Sequence, residues 1–337
     1  MKKKYKESIE RVTEEILSND IDYQSLRNKL QEFMKFLMEI TKLDLDDPLN
    51  EKNIEFENGI ALNTKDAALC VVDIIRTRQF IRGIFEAVKD IQKQKTSLIR
   101  IMYAGTGPFA MLILPLLTKF RHDELQLTLL EVNEDTGKHL MKLIEKLEIE
   151  NYIEKIVFED ASKHKIHDNE KVDILISETM QLGLTKEQQV PIMLNLVSQL
   201  NKDVIVIPQK IQLDLALMNT STKLMFNDED KTRYNTLKSI LEFDSQFIQS
   251  NSEEIKRNKI IELCKQLLFK EEKNKEYDQL VILTSIQVYQ TEWITVDSSS
   301  LTIPKKIFNL ADLKNNEKEI SINYIIKEIP DFEYSLN

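Results

Sequence analysis

Five short apolar runs, at residues 98–104, 125–130, 153–158, 172–177 and 203–207, alternate with longer segments of helical period such as 134–147 and 186–200. This alternation constrains the fold more than any other feature of the chain. The runs are too short for buried helices, rich in β-branched residues, and bounded by polar or turn-forming residues. Such strands form a parallel sheet covered by helices on both faces, an α/β Rossmann-like fold whose ligands gather at the carboxyl ends of the strands.

The first run, Leu-Ile-Arg-Ile-Met-Tyr-Ala before Gly105-Thr106-Gly107, ends in a glycine turn, although the 337 residues contain only six glycines. Glycine at 105 and 107 lets the backbone approach a ligand closely. The segment 108–119 is expected to continue as a helix, with Pro108 at its first position and free amides facing a carboxylate or phosphate. The second run ends in Glu131, which places a carboxylate at a strand tip where it can accept both hydroxyls of a ribose. A Gly-x-Gly turn also serves ordinary strand-to-helix connections. With Ala110 in the third position of the dinucleotide pattern, a dinucleotide ligand stays open on this evidence.

Composition narrows the function classes. A formal net charge of −10 argues against general nucleic-acid binding and suits a cationic acceptor. Cys70 and Cys264 lie far apart in helix-like segments, so the expected chain is a reduced, cytoplasmic one. No apolar stretch is long enough to cross a membrane. His164 and His167 lack a third ligand nearby, so no metal is expected.

The organisation reads in three parts. Residues 1–50 predict two amphipathic helices, the second carrying Leu26, Leu30, Phe33, Phe36, Leu37 and Ile40 on one face. Residues 51–218 predict the Rossmann-like catalytic domain, with 210–218 as a further strand. Residues 219–337 predict a charged helical insertion, 219–276, followed by a strand-rich end.

Four segments, falling within residues 66–218, resemble the class I S-adenosylmethionine-dependent methyltransferases, and among them the protein arginine methyltransferases most. Asp73-Ile-Ile-Arg76-Thr77 is similar to that family's Asp-x-x-Arg-Thr helix, and Tyr103-Ala104-Gly105-Thr106-Gly107 to its glycine motif, with tyrosine at the first glycine. Glu131 stands at the place of the ribose-binding acid. Glu178 and Glu187, nine residues apart, resemble its double-glutamate loop.

The resemblance implies a class I methyltransferase domain with an N-terminal helical segment and a C-terminal helical-plus-β region. It further implies S-adenosylmethionine as cofactor. Arg76 would hold its carboxylate, Tyr103, Ala104, Gly105 and Gly107 its methionine end, Glu131 the ribose, and Asp160 and Ala161 the adenine. Glu178 and Glu187 would grip a cationic acceptor, either a small molecule or a peptide, in a chain that could pair as a homodimer. Other readings of the residues stay open. Arg76 could be a solvated helix arginine beside Arg78 and Arg82, and Thr185-Lys-Glu-Gln188 also reads as a capping box that would make Glu187 a first-turn acid. Trp293, in Thr291-Glu-Trp293, suits a packing role as well as an echo of the family's Thr-His-Trp motif. An NAD-linked oxidoreductase and a non-catalytic protein of the same fold are the alternatives from other classes.

Overall fold

The computed structural model describes every residue except 2, 96, 168, 222–232, 269–275, 314–318 and 337. Two helices open the chain, α1 (Lys3–Leu17) and α2 (Tyr23–Thr41), as their hydrophobic spacing predicts. Helix α1 buries Ile9, Val12 and Ile16; α2 buries Leu26, Leu30, Phe33 and Leu37, with Phe36 and Ile40 partly covered. Asp22 caps α2 by accepting the Gln24 and Ser25 backbone N–H groups. The carbonyls at the end of α1 are met by arginines: Arg82 donates to Leu17 O at 2.8 Å, and Arg78 to Ser18 O at 2.7 Å. These two guanidiniums therefore lock the N-terminal helices to the sheet domain.

A small hairpin, β1 (Ile54–Phe56) and β2 (Gly59–Ala61), leads into α3 (Thr64–Leu69), a 3-10 turn at Cys70–Val72, and the long α4 (Ile74–Gln94). The expected alternation then follows: β3 (Ile99–Ala104), β4 (Leu125–Leu130), α5 (Glu134–Leu147), β5 (Ile153–Val157), β6 (Ile174–Ser177), α6 (Gln189–Val197) and β7 (Ile205–Ile207). The five strands form one parallel sheet in the order β5-β4-β3-β6-β7. Ala104 pairs with Leu130 on one side and with Ser177 on the other. Gly105, Glu131 and Glu178 consequently leave the sheet at the same level, beside the point where the strand order reverses.

Residues 108–119 do not form the expected helix. They run as turns, with Ala110 at φ 44°, into a short 3-10 helix at Leu114–Thr118. Pro115 would sit in the second turn of a helix begun at 108, where it can give no N–H and its ring would crowd the carbonyl of residue 111. The segment also has no polar face: Phe109, Met111, Leu112, Leu114, Leu116 and Leu117 are all buried.

The C-terminal region is built from β8 (Lys210–Met218), β9 (Tyr234–Asp244), α7 (Ser245–Asn258), β10 (Ile260–Leu268), β11 (Gln279–Tyr289), β12 (Glu292–Ile294), β13 (Lys305–Asn309), β14 (Glu319–Ile325) and β15 (Asp331–Leu336). An antiparallel sheet runs β12-β11-β8-β9, with β13 also on β11, and a second runs β10-β14-β15. The stretch 219–276 is therefore no helical insertion. Its helix, α7, lies between two strands: β9 pairs with β8 from Lys210↔Asp244 to Met218↔Tyr234, and β10 pairs with β14. Cys264 accordingly lies on a strand rather than a helix. Part of the stretch, 222–232 and 269–275, lies outside the described residues. Strand β9 is an edge with exposed positions at 236–239 and 242, so its composition is polar and its apolar alternation faint. Among the described residues no helix is long and apolar enough to cross a membrane.

Candidate functional site

The carboxyl ends of β3, β4 and β6 open into a cleft roofed by the hairpin, α3 and the start of α4. Glycine is required at 105 for two reasons. Its φ is +76°, and a Cβ there would lie 2.3 Å from Thr179 Cγ2. Gly107, at φ +62°, turns its N–H back to donate to Glu131 Oε2 at 2.9 Å. Thr106 Oγ1 donates to the same oxygen at 3.3 Å, and the Asn133 N–H donates to Oε1 at 2.9 Å. Glu131 thus fastens the glycine turn to the tip of β4 while lining the cleft. Burial raises its pKa above the ordinary carboxylate value, and these donors work against the rise. The amide of Gly107 is thus held by Glu131, and the helix expected beyond it to offer free amides does not form.

Arg76 lies in the first turn of α4, where its backbone N–H donates to the cap residue Asp73 at 3.1 Å. Its side chain is no solvated surface group. It is 12% exposed and forms an ion pair across the cleft with Glu178, whose side chain is 3% exposed. The other carboxylate oxygen of Glu178, Oε1, is buried without a hydrogen-bond partner among the described residues. The loop that follows is organised by Gln189, which sequence reasoning missed. Its Oε1 accepts the Thr179 N–H and hydroxyl, each at 2.9 Å, and its amide donates to Ser177 O at 3.1 Å.

Glu187 also lines the cleft, and the capping-box reading of its surroundings fails. Helix α6 begins at Gln189, and the Thr185 hydroxyl donates backwards, to Leu182 O at 2.8 Å. Positive φ at Leu184 and Lys186 turns the chain so that Lys186 O accepts the Ile60 N–H from the hairpin. That turn places Glu187 ahead of the helix and inward. Burial pushes its pKa up to about 7, against the pull of Arg76 and of a hydrogen bond from Gln181.

Of the other residues singled out by sequence, Tyr103 lines the cleft, and burial raises its phenol well above its ordinary pKa. Ala104 is buried within β3 behind the lining, paired on both sides. Ala161 lines the cleft, whereas Asp160 does not; it accepts the Ser162 N–H at 2.8 Å. Glu159 takes its place, with His164 Nδ1 2.9 Å away, and Thr136 and Gln188 complete that side. His167 is exposed and apart from it. Among the described residues no group of three or more His, Cys, Asp or Glu could hold a metal ion. Trp293, on β12, lies outside the lining and packs with Lys210 Nζ 5.9 Å from its ring centroid.

No family model and no curated protein matches the sequence. Solved structures do match. Protein arginine methyltransferase 10 of Arabidopsis thaliana aligns with a TM-score of 0.54 at 12% identity, covering 76% of this chain and 86% of that one. The Trypanosoma brucei PRMT1 enzyme–prozyme heterotetramer, a complex with AdoHcy, aligns with a TM-score of 0.50 at 12% identity, covering 80% of this chain and 91% of that one. At such identity the likeness is one of fold: a Rossmann-like α/β domain joined to a C-terminal β region, as in the protein arginine methyltransferases.

Proposed function

We propose that this chain is an S-adenosylmethionine-dependent methyltransferase that methylates a nitrogen of a cationic acceptor, a peptide or a small molecule. A protein arginine is one member of that class. The observation that carries the reading is Glu178, buried at a strand tip with one oxygen on Arg76 and the other without a partner among the described residues. An orphaned carboxylate oxygen in a cleft is costly unless a donor meets it, and a guanidinium or ammonium group is the donor that gains most there. The fold, and a structural neighbour in complex with AdoHcy, support the cofactor.

The residues fit that cofactor at both ends. Arg76 offers a guanidinium to its carboxylate, and Glu131, Thr136 and Ala161 line the part of the cleft suited to the adenosine. Bound S-adenosylmethionine supplies an electrophilic methyl group on a sulfonium. Glu178 and Glu187 would hold the acceptor nitrogen towards it and stabilise the positive charge that grows there as the sulfur–methyl bond breaks and S-adenosylhomocysteine leaves, a charge discharged by loss of a nitrogen proton, while the cleft walls would exclude water.

Calorimetry is expected to show S-adenosylhomocysteine binding at micromolar affinity or better and no binding of NAD. Glu131→Ala and Arg76→Ala should each weaken it by about 1.5–3 kcal/mol, the range for a lost charge-assisted hydrogen bond. NAD binding without S-adenosylhomocysteine binding would overturn the proposal.

Glu187 adds a pH dependence. As the clamp needs its carboxylate, kcat/KM should rise as pH increases through about 7, and Glu187→Gln should remove that limb. Stability moves the other way. The folded state raises this pKa from 4.5 to about 7, so it binds the proton more tightly than the unfolded state does. The resulting stability is complete below the unfolded value and lost as pH climbs through the folded one, on the order of 1–3 kcal/mol. Denaturant midpoints at pH 5 and pH 8 should therefore fall in the parent relative to Glu187→Gln; parallel shifts in both would show that Glu187 is ionised throughout.

A further inference from the structure

Asp73 is gripped from two distant parts of the chain. Its Oδ1 accepts the backbone N–H of Arg76 at 3.1 Å, as an N-cap does. Its Oδ2 faces the other way and takes three donors from the C-terminal region: the Ser299 hydroxyl at 2.8 Å, the Ser300 N–H at 2.8 Å and the Ser300 hydroxyl at 2.6 Å. A helix cap needs only one carboxylate oxygen. The second ties the cap to a loop 226 residues further along the chain.

That loop is itself braced. Ser299 and Thr302 form a reciprocal capping box, and the Thr302 and Ser298 hydroxyls both donate to Thr295 O at 2.7 Å. Asp297 accepts Arg233 Nη1 at 3.2 Å and the hydroxyl of Tyr234, which fastens the loop to the start of β9. A continuous set of bonds thus runs from the C-terminal sheet through Ser299 and Ser300 to Asp73, to the amide of Arg76, and from its guanidinium to Glu178.

We propose that Ser299 and Ser300 are positioning residues for Arg76, an inference that rests on the reading of the cleft as an S-adenosyl site. By fixing the rotamer of Asp73 they fix the first turn of α4, and with it the guanidinium that meets the cofactor carboxylate. The C-terminal β region thereby completes a subsite whose contact residues all lie in the Rossmann-like domain. Adenosine-side contacts through Glu131 and Ala161 are independent of this latch.

The test compares two probes that differ at that carboxylate: S-adenosylhomocysteine, and 5′-methylthioadenosine, which lacks the amino-acid end. In Ser299→Ala/Ser300→Ala, affinity for S-adenosylhomocysteine should fall about tenfold, as expected for a displaced charged contact, while affinity for 5′-methylthioadenosine stays within about twofold. Ser300→Ala alone should show the same discrimination more weakly, and it serves if the double variant does not fold. Ser300→Thr, which keeps the hydroxyl, should bind like the parent. Equal losses for both probes, or no loss for either, would overturn the positioning role while leaving the cofactor reading intact. Failure of the parent to bind S-adenosylhomocysteine would instead overturn that reading, and the latch proposal with it.

Discussion

Glu178→Gln is expected to fold, to bind S-adenosylhomocysteine within about threefold of the parent, and to transfer methyl groups some 10–100-fold more slowly, roughly 1.4–3 kcal/mol of lost transition-state stabilisation. Glutamine keeps the shape and an acceptor oxygen for Arg76. What it removes is the negative charge on a side chain that is 3% exposed. Charge buried to that degree acts on the reacting nitrogen with little screening. Glu187→Gln should reduce turnover in the same direction if the two carboxylates act as a clamp. Unchanged turnover in Glu187→Gln beside impaired turnover in Glu178→Gln would leave Glu178 as the sole acid on the acceptor side. Unchanged turnover in Glu178→Gln would reject the acceptor site altogether.

Excising residues 234–268 is expected to abolish folding of the C-terminal region rather than trim an appendage. Strand β9 contributes Ile240, Leu241 and Phe243 to the core, and β10 contributes Ile261, Leu263 and Cys264. At about 1.5–3 kcal/mol for each large apolar side chain buried, the five large ones together are comparable to the roughly 5–15 kcal/mol that holds a typical domain together. Strand β8 would lose one of its two neighbours along its whole length and keep only β11. Circular dichroism and thermal melting of the purified deletion would decide the matter: a cooperative melt close to the parent's would show the segment to be dispensable.

What the sequence discloses and what it hides follow from burial. Strands covered on both faces, such as β3, β4 and β6, are mostly apolar, broken only by Arg100, Gln126, Thr128 and Ser177, and stand out, as do α1 and α2, whose apolar residues recur at helical spacing. Edge strands such as β9 carry water-facing residues that dilute the alternation, and 234–244 therefore reads as charged helix. The segment 108–119 misleads for the opposite reason: it is apolar on every side, so its period is undefined, and only Pro115 argues against a helix. At the site, Arg76, Glu131 and Glu178 are legible because each sits at the end of a strand or the start of a helix. Glu187 is ambiguous because Thr185-Lys-Glu-Gln188 satisfies a helix-start pattern, while its inward placement depends on positive φ at Leu184 and Lys186, which no local pattern announces. Gln189 and Glu159 escape notice because an amide and a lone acid carry no signature without their partners.

The shared level of Gly105, Glu131 and Glu178 makes the sheet a ruler. Strands β4 and β6 flank β3, so the tips bearing Glu131 and Glu178 stand two strand spacings apart, about 10 Å. That separation belongs to backbone hydrogen bonding and does not vary with the side chains above it. The loop beyond Glu178 can therefore be rebuilt, by grafting or directed evolution, without moving the tip that bears Glu131. Glu178 itself is the exception, since its ion pair with Arg76 couples the tip of β6 to the start of α4.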